Sequence, residues 1–154
     1  MVSAPITSAD GKGRLRLWLR LLRATRLIEA ELRERLKAEF DTTLPRFDVM
    51  AALYRAPDGM MMGEISRFLL VSNGNVTGIV DRLVSDGLVA RAARDGDRRA
   101  FIVRLTEAGA AQFKAMAAAH ERWIDALLAD VDPDEAAHLA GTLRTFQSKW
   151  EGGH

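Results

Sequence analysis

The chain has 154 residues, of which 48% are hydrophobic and 28% charged, with a formal net charge of +1. This length and balance are ordinary for one soluble globular domain and exclude a disordered or fibrous chain. The absence of cysteine excludes disulfides, thiolate catalysis and cysteine-based zinc sites. No apolar run reaches the roughly 18 residues of a membrane span. The N-terminus lacks the apolar core of a signal peptide, so we predict a disordered leader over residues 1–12 and a cytoplasmic protein.

The first two helices follow from apolar spacing and from a proline. Apolar residues recur three and four positions apart over Leu15–Phe40, which predicts a long helix. Pro45 stands near the beginning of the next apolar segment and predicts a second helix, which runs to about Arg55 and ends at APDG.

A short helix, a tight turn and a longer helix come next. The segment MMMGEISRFLL predicts the short third helix. The fourth helix begins in SNGNVTGIVDRL, with Ser72 in the N-cap position, and Gly87 ends it.

The hydrophobic period changes after the fourth helix. Residues that favour strands alternate on both sides of RDGD, whose Asp-Gly pair is a strong hairpin signal, so the sequence predicts one strand pair here and no other. A fifth helix follows Thr106 and runs to about Asp130, and Asp132-Pro133 begins a sixth. This order predicts a mainly α chain with a small β-hairpin wing, that is, a winged helix-turn-helix over residues 41–105.

The fourth helix is unusual because it carries two glycines and two asparagines in its first turns. On a wheel of about 100° per residue, the inner face is formed by Val76, Ile79, Val80, Leu83 and Val84. The outer face is formed by Gly74, Asn75, Gly78, Asp81 and Arg82. Glycines on an outer face let another molecule approach the backbone closely, and the major groove of DNA fits such a face. The alternative, in which SNGN is only a cap and a turn, explains these residues equally well.

Arginine is concentrated in the middle of the chain. Six arginines and three aspartates lie between positions 82 and 104, and no lysine occurs between Lys37 and Lys114. Since a solvated face would use lysine as readily, this bias predicts a local anionic partner. The predicted hairpin carries four of these cations, Arg91, Arg94, Arg98 and Arg99. A basic ribbon suits a phosphate backbone or a minor groove, but taken alone a solvated tip explains it better.

The segment GEISRFLLVSNGNVTGIVDRLVSDGLVARAARDGDRRAFIVRLTEAG resembles the MarR family of bacterial transcriptional regulators, and the similarity covers nearly the whole chain after residue 12. The resemblance implies a homodimer that binds a pseudo-palindromic operator in double-stranded DNA, usually as a repressor, and releases it when a small, often aromatic, ligand binds. Four residues would lie in the major groove: Ser72, Asn73, Asn75 and Thr77. Arg82 would lie near a phosphate. In the wing, Arg94 and Arg98 would reach the minor groove or backbone while Asp97 and Arg99 brace the hairpin.

The sequence departs from this family at Gly74 and Gly78, where members often have larger residues, and this leaves open which bases are read. The apolar faces of the outer helices exceed what a winged helix of roughly 60 to 80 residues covers, and exposed stripes of that kind mark interfaces. We therefore predict a dimerisation region formed by residues 13–40 and 106–150. An intramolecular bundle is the alternative.

The resemblance also implies an effector pocket between the first, second and fifth helices. The candidate residues are Trp18, Leu22, Phe47, Met50, Phe113, Met116 and His120. Methionine and aromatic residues at helical spacing more often form plain core. The first helix is most similar to members that sense hydroxycinnamoyl-CoA thioesters, which implies an aromatic acid or its CoA thioester as effector.

Three other functions are alternatives to a DNA-binding regulator. A winged-helix module that binds proteins and no specific DNA stays open. An enzyme is not predicted, because the chain has no paired nucleophile and histidine and no glycine-rich phosphate loop after a strand. No cofactor and no metal site is predicted, since three scattered histidines are poor metal ligands. No membrane partner is predicted, although Leu15–Leu36 alone could form a helix on a membrane surface.

Overall fold

The computed structural model describes residues 9–94 and 97–152, and for Asn73, Arg94 and residues 97–100 it describes the backbone alone. The elements in chain order are α1 (Ala9–Phe40), α2 (Leu44–Tyr54), β1 (Met60–Met61), α3 (Met62–Leu69), α4 (Asn73–Ser85), β2 (Val89–Arg94), β3 (Asp97–Leu105), α5 (Glu107–Leu127) and α6 (Pro133–Glu151). This order confirms the predicted mainly helical class with a β-hairpin between the fourth and fifth helices. The chain divides into two compact units, one that ends at His120 and one that begins at Glu121.

The first helix is longer than the sequence predicted. It begins at Ala9 rather than Leu15, so residues 9–12 of the predicted disordered leader are helical, and the rest of that leader lies outside the described residues. Apolar spacing cannot detect these turns because they carry no apolar stripe. Asp10 lies in the first turn, where a negative charge stabilises the positive end of the helix dipole.

Local hydrogen bonds explain where the helix-turn-helix elements begin and end. Thr43 caps α2, since its hydroxyl accepts the N–H of Arg46. The turn after α3 passes through Leu70, which has a left-handed backbone with φ of 55°. The hydroxyl and the carbonyl of Ser66 close this turn, because each bonds the backbone of Val71. Ser72 then caps α4 as predicted, accepting the N–H of Asn75 at 3.4 Å.

The sheet has three antiparallel strands in the order β1-β3-β2, so the prediction of a single strand pair was wrong. Met60 pairs with Val103 and Met61 with Ile102. A strand of two residues has no alternation to detect, and it exists only because β3 supplies its partners. Gly59 precedes it with φ of 94°, and a Cβ there would lie 2.3 Å from Ile102 Cγ2. Close approach and backbone conformation therefore both require glycine at this position.

The core of the first unit is formed by the C-terminal part of α1, by α2, by the inner faces of α3 and α4, by β3 and by the N-terminal half of α5. Its fully buried side chains include Leu36, Met50, Leu53, Ile65, Leu83 and Val103. In the second unit, Asp132 caps α6 by accepting the N–H groups of Asp134 and Glu135. The helix exposes one apolar stripe, made of Leu139, Leu143, Phe146 and Trp150.

One junction connects the end of α4, the hairpin and the beginning of α5. Thr106 donates its backbone N–H to the carbonyl of Leu88 and its hydroxyl to the carbonyl of Gly87. The same hydroxyl accepts the N–H of Gly109 at 3.0 Å and so caps α5. Gly109 is buried, and a Cβ added to it would lie 1.9 Å from the Leu88 carbonyl oxygen. The first turn of α5 therefore packs directly on the backbone that follows α4.

We predict that Gly109→Ala lowers the free energy of unfolding by about 3 kcal/mol, because the new methyl group must displace the backbone at Leu88. Gly13→Ala is the matched control, since a Cβ at that position of α1 meets nothing within 4 Å. The control should raise stability by up to about 1 kcal/mol. Urea denaturation measures both values. Equal stability of the Gly109→Ala variant and the unmodified chain would contradict the packing described at this junction.

Candidate nucleic-acid interface

The outer face of α4 is polar and exposed, and it carries few large side chains. The inner residues Val76, Val80 and Leu83 are fully buried, whereas Gly74, Asn75, Thr77, Gly78 and Arg82 are all exposed. These positions confirm the two faces predicted from the helical wheel. A Cβ added at Gly74 or Gly78 would meet nothing within 4 Å. Packing within this chain therefore does not require glycine at either position, and the face leaves backbone accessible to another molecule.

The N-terminal end of α4 presents the residues predicted to contact DNA. Ser72 and Asn75 are exposed at the cap, and Thr77 is exposed one turn later. The side chain of Asn73 lies outside the described part of the chain. Free N–H groups of a first helical turn attract anions, so the same end of α4 suits a phosphate as well as a base edge.

The acidic residue on this face has a partner in the hairpin. Asp81 Oδ1 accepts a hydrogen bond from Arg91 Nη2, and both side chains are partly exposed. Arg91, which the sequence predicted as a DNA contact, therefore connects β2 to α4. An acidic residue on an otherwise neutral or basic outer face indicates an ion pair, so the sequence contained a signal at Asp81. Residue spacing did not identify Arg91 as its partner.

A second ion pair fixes the other end of α4. Arg46 Nη2 donates to Asp86 Oδ2, and this contact joins the first turn of α2 to the C-terminal cap of α4. The Nε atom of Arg46 is buried without a hydrogen-bond partner in the described part of the structure. Sequence reasoning missed this pair, because 40 positions separate the two residues. The two ion pairs attach α4 to α2 and to β2, which gives its outer face a fixed direction.

The predicted wing residues are only partly covered by the structure. The backbone register pairs Arg94 with Asp97, with an irregularity between Ala93 and Arg94. The side chains of Arg94, Asp97, Arg98 and Arg99 lie outside the described residues, and their assigned roles stay predictions.

The turn that precedes α4 adds an exposed apolar surface, formed by Phe68, Leu70 and Val71.

The predicted effector residues are only partly brought together. Phe47, Met50, Phe113 and Met116 are at most 7% exposed and form core. Phe47 stacks at 5.5 Å from Phe113 and at 4.8 Å from His120, measured between ring centroids. Leu22 is half-buried, and Trp18 is 55% exposed with no ring contact to any described aromatic residue. Tyr54, which the sequence did not single out, extends the aromatic cluster by stacking on Phe113 at 4.9 Å.

Two partly buried titratable groups of the first unit have shifted pKa values. Burial lowers the pKa of His120, which favours the neutral imidazole beside Phe47. Burial and, to a smaller extent, the carboxylate of Glu29 on α1 raise the pKa of Asp48 to about 6, although the guanidinium of Arg33 partly offsets them. No group of three His, Asp or Glu among the described residues is arranged to hold a metal ion. No described helix combines the length and apolarity needed to cross a membrane.

Comparison with known proteins supports a regulator. Residues 40–100 match the model of the MarR family. The chain is 36% identical to a MarR family transcriptional regulator from Silicibacter pomeroyi, with a TM-score of 0.77 and coverage of 94% of this chain and 99% of the other. A mutant of MarR from E. coli, solved in complex with operator DNA, is 26% identical with a TM-score of 0.76, covering 90% and 99%. The transcriptional activatory protein BadR from Rhodopseudomonas palustris is 35% identical over 106 residues, a region that spans 66% of this chain and 60% of BadR.

We predict that Asp48→Asn stabilises the protein at pH 8 and has little effect near pH 4. The raised pKa means that the folded protein holds a proton on Asp48 more tightly than the unfolded chain does. Stability contributed by the protonated form is therefore lost as the pH rises through about 6, and the neutral amide avoids this loss. Urea denaturation between pH 4 and pH 8 measures the difference.

Glu29→Gln provides a second variant for the same experiment. Removing the neighbouring carboxylate eases the ionisation of Asp48, so the loss of stability should occur at lower pH and over a narrower range. Identical pH profiles for Asp48→Asn and the unmodified chain would show that Asp48 ionises freely in the folded protein.

Proposed function

Because this chain belongs to the MarR family of transcriptional regulators, we propose that it binds a pseudo-palindromic operator in double-stranded DNA as a homodimer. The observation that carries this proposal is the outer face of α4, where Gly74 and Gly78 leave the backbone exposed. Packing against the described residues does not require glycine at either position. A major groove admits a helix, and a helix without bulky outer residues approaches the base edges most closely.

The polar residues of this face supply the contacts. Asn73 and Asn75 each offer an amide that bonds adenine in bidentate fashion, and the methyl group of Thr77 suits thymine. Ser72 and the first N–H groups of α4 suit a phosphate, and Arg82 adds a cation near the backbone. The exposed positions of Ser72, Asn75, Thr77 and Arg82 support these roles.

The wing supplies contacts to the adjacent groove. Arg94 and Arg98 reach the minor groove or the phosphate backbone in this proposal, and Asp97 and Arg99 brace the hairpin. Arg91 acts differently: its pair with Asp81 holds β2 against α4, so it positions the wing and contributes to DNA binding through that position. The order of elements supports this arrangement, since β2 follows α4 after three residues.

The homodimer rests on apolar surface in the outer helices, residues 13–40 and 106–150. The N-terminal half of α1 exposes Leu15, Leu17, Trp18 and Leu19, and α6 exposes the stripe that includes Phe146 and Trp150. Exposed apolar surface of this extent marks an interface, and a symmetric dimer presents two α4 helices to two half-sites. Residues 41–105 form the DNA-binding part.

The effector in this proposal is a small aromatic acid or its CoA thioester. Effector binding releases the dimer from the operator. Where the operator overlaps a promoter, the bound dimer blocks transcription and so acts as a repressor. BadR carries the name of an activatory protein, so activation is the alternative to repression in this proposal. The aromatic cluster of Phe47, Phe113 and His120 supports an aromatic ligand nearby.

The proposed function is tested by fluorescence anisotropy with the DNA upstream of the chain's own gene, using Gly78→Ala as the decisive variant. The added methyl group meets open space, so the variant should fold and should gain up to about 1 kcal/mol of stability. It should bind the operator about tenfold more weakly, because the methyl group holds α4 away from the bases. Gly141→Ala in α6, which also points into open space, should bind normally.

Three outcomes contradict the proposal or the close approach on which it rests. Binding without preference for a palindromic sequence would show that the chain does not recognise a specific operator. No binding by the unmodified chain would leave a protein-interaction module with the same fold as the better explanation, with the exposed surface of Phe68, Leu70 and Val71 as its contact. Tighter binding by Gly78→Ala would show that this glycine serves flexibility of α4 instead of close approach.

We expect Asp81→Asn to strengthen DNA binding and to make it more sensitive to salt. The substitution removes a negative charge from the outer face of α4. The new amide oxygen can still accept a hydrogen bond from Arg91, so the wing keeps its position while the guanidinium also reaches a phosphate. One additional phosphate contact steepens the slope of log K against log salt by about 0.9. Asp130→Asn, an exposed aspartate in the turn after α5, is the control and should change neither value. Weaker binding by Asp81→Asn would show that the ion pair matters more as a brace than Arg91 does as a free cation.

A further inference from the structure

The turn between α3 and α4 contains a leucine in a backbone conformation that leucine rarely adopts. Leu70 has φ of 55° and ψ of 42°, which lie in the left-handed region. In this region the Cβ of an L-residue crowds the following carbonyl, so glycine or asparagine normally occupies it at the end of a helix. Leucine at position 70 therefore costs free energy that glycine would avoid.

The side chain of Leu70 contributes little to packing within the chain. It is 90% exposed, the highest fraction among the large apolar residues that the structure describes. Main-chain groups and the Ser66 hydroxyl close the turn: the N–H of Leu70 bonds the carbonyl of Arg67, and Ser66 bonds the backbone of Val71. Glycine at position 70 would keep these bonds. A residue that strains the backbone and exposes apolar surface without packing indicates a contact with another molecule.

Leu70 lines a groove that extends to the beginning of α4. The groove has a volume of about 420 Å³, and we call it the α3–α4 groove. Its lining residues come from α3, from the turn and from the N-cap of α4: Gly63, Ser66, Arg67, Leu70, Val71 and Ser72. Ser72 is exposed where the outer face of α4 begins, so the groove is continuous with the proposed DNA surface.

A free cation lies at the same groove. Arg67 is exposed, and its guanidinium has no hydrogen bond or ion pair to any described residue, including Glu64 on the same helix. A Cβ built on Gly63 would lie 3.8 Å from Arg67 Nη1, so the guanidinium lies beside the first turn of α3. A guanidinium bonds phosphate well. The groove thus combines an anion contact with an apolar contact, and a thymidine nucleotide carries both a phosphate and a methyl group.

We propose that Leu70 recognises one thymine of each half-site through the C5 methyl group of the base, while Arg67 binds the adjacent phosphate backbone. Thymine is the base that presents a methyl group in the major groove, and apolar side chains recognise it there. This inference rests on the proposed function, since α4 must enter the major groove for Leu70 to reach a base. It adds a base contact outside α4 and so extends the sequence that the chain distinguishes.

Charge favours DNA over a protein as the occupant of this groove. The charged side chain among its lining residues is a cation, and the first N–H groups of α4 also attract anions. A protein that docked on exposed apolar surface here would also cover Phe68, which is 56% exposed but does not line the groove. Phe68 therefore provides a control for the contact assigned to Leu70.

The test replaces thymine by uracil, one position at a time, in the DNA upstream of the chain's own gene. Uracil lacks the C5 methyl group and keeps the hydrogen-bonding groups of thymine. Fluorescence anisotropy should show about fourfold weaker binding at the thymine that contacts Leu70, which is the contribution of one buried methyl group. Leu70→Gly should bind the thymine operator about as weakly as the unmodified chain binds that uracil operator. The variant should no longer distinguish the two bases at this position.

Three further variants separate this contact from other causes. Leu70→Met keeps an apolar side chain and should keep the preference for thymine. Thr77→Ser removes a methyl group from α4, so it should lose the preference at a different thymine and retain the one assigned to Leu70. Phe68→Ser should retain both preferences, because Phe68 does not line the groove.

Arg67→Gln tests the phosphate contact separately. It should weaken binding of the thymine and uracil operators by the same factor, because a phosphate contact carries no base preference. It should also reduce the slope of log K against log salt by about 0.9, the value for one lost phosphate contact. An unchanged salt slope would remove Arg67 from the proposed contact.

Urea denaturation separates a DNA contact of Leu70 from a role in folding. Leu70→Gly removes the strain of a left-handed leucine and should be at least as stable as the unmodified chain. Leu70→Asn also suits this backbone region and should be similarly stable, and it should lose the same thymine preference. A large loss of stability in both variants would show that leucine serves the fold and would overturn the proposal.

The same measurements distinguish this inference from the proposed function. If the unmodified chain binds its operator but no thymine preference depends on Leu70, the inference is overturned and the proposed function is unaffected. Equal preference for thymine over uracil in Leu70→Gly and the unmodified chain is the form that this result would take. If the unmodified chain does not bind the operator, both are overturned.

Discussion

The arrangement of the first unit depends on the close packing of α5 against the backbone at Leu88. Gly109 permits this approach because it has no side chain, and Thr106 secures it with three hydrogen bonds to Gly87, Leu88 and Gly109. The end of α4, the beginning of β2, the end of β3 and the beginning of α5 therefore meet at one point. In the proposed function α4 reads DNA and must keep its direction. This junction supports one end of α4, and the two ion pairs attach it to α2 and β2.

The arginines of this chain serve two purposes that composition alone does not separate. Arg46 and Arg91 hold α4 in place through Asp86 and Asp81, whereas the side chain of Arg82 is exposed and has no partner among the described residues. The forked guanidinium suits both purposes, since it bonds a carboxylate as well as it bonds a phosphate.

The aromatic residues divide between core and partly exposed positions. Phe47 and Phe113 pack inside, with His120 against Phe47. Tyr54 packs on Phe113 and remains partly open to a cleft that also contains Lys114. The aromatic stripe was correctly located from helical spacing, but its open edge lies at the C-terminal end of α2, where the periodic pattern stops.

The sequence by itself determined the features that depend on neighbours in the chain. The two faces of α4 follow from helical period, the caps at Ser72 and Asp132 from single side chains, and the hairpin from its turn and alternation. The family resemblance added the expected role of each face. Only the tertiary structure decided the pairing of Met60 with Val103, the pair of Arg46 with Asp86 and the close approach at Gly109, because each joins segments far apart in the chain. Local periodicity carries no information on such contacts, since their partners are brought together only when the whole unit packs.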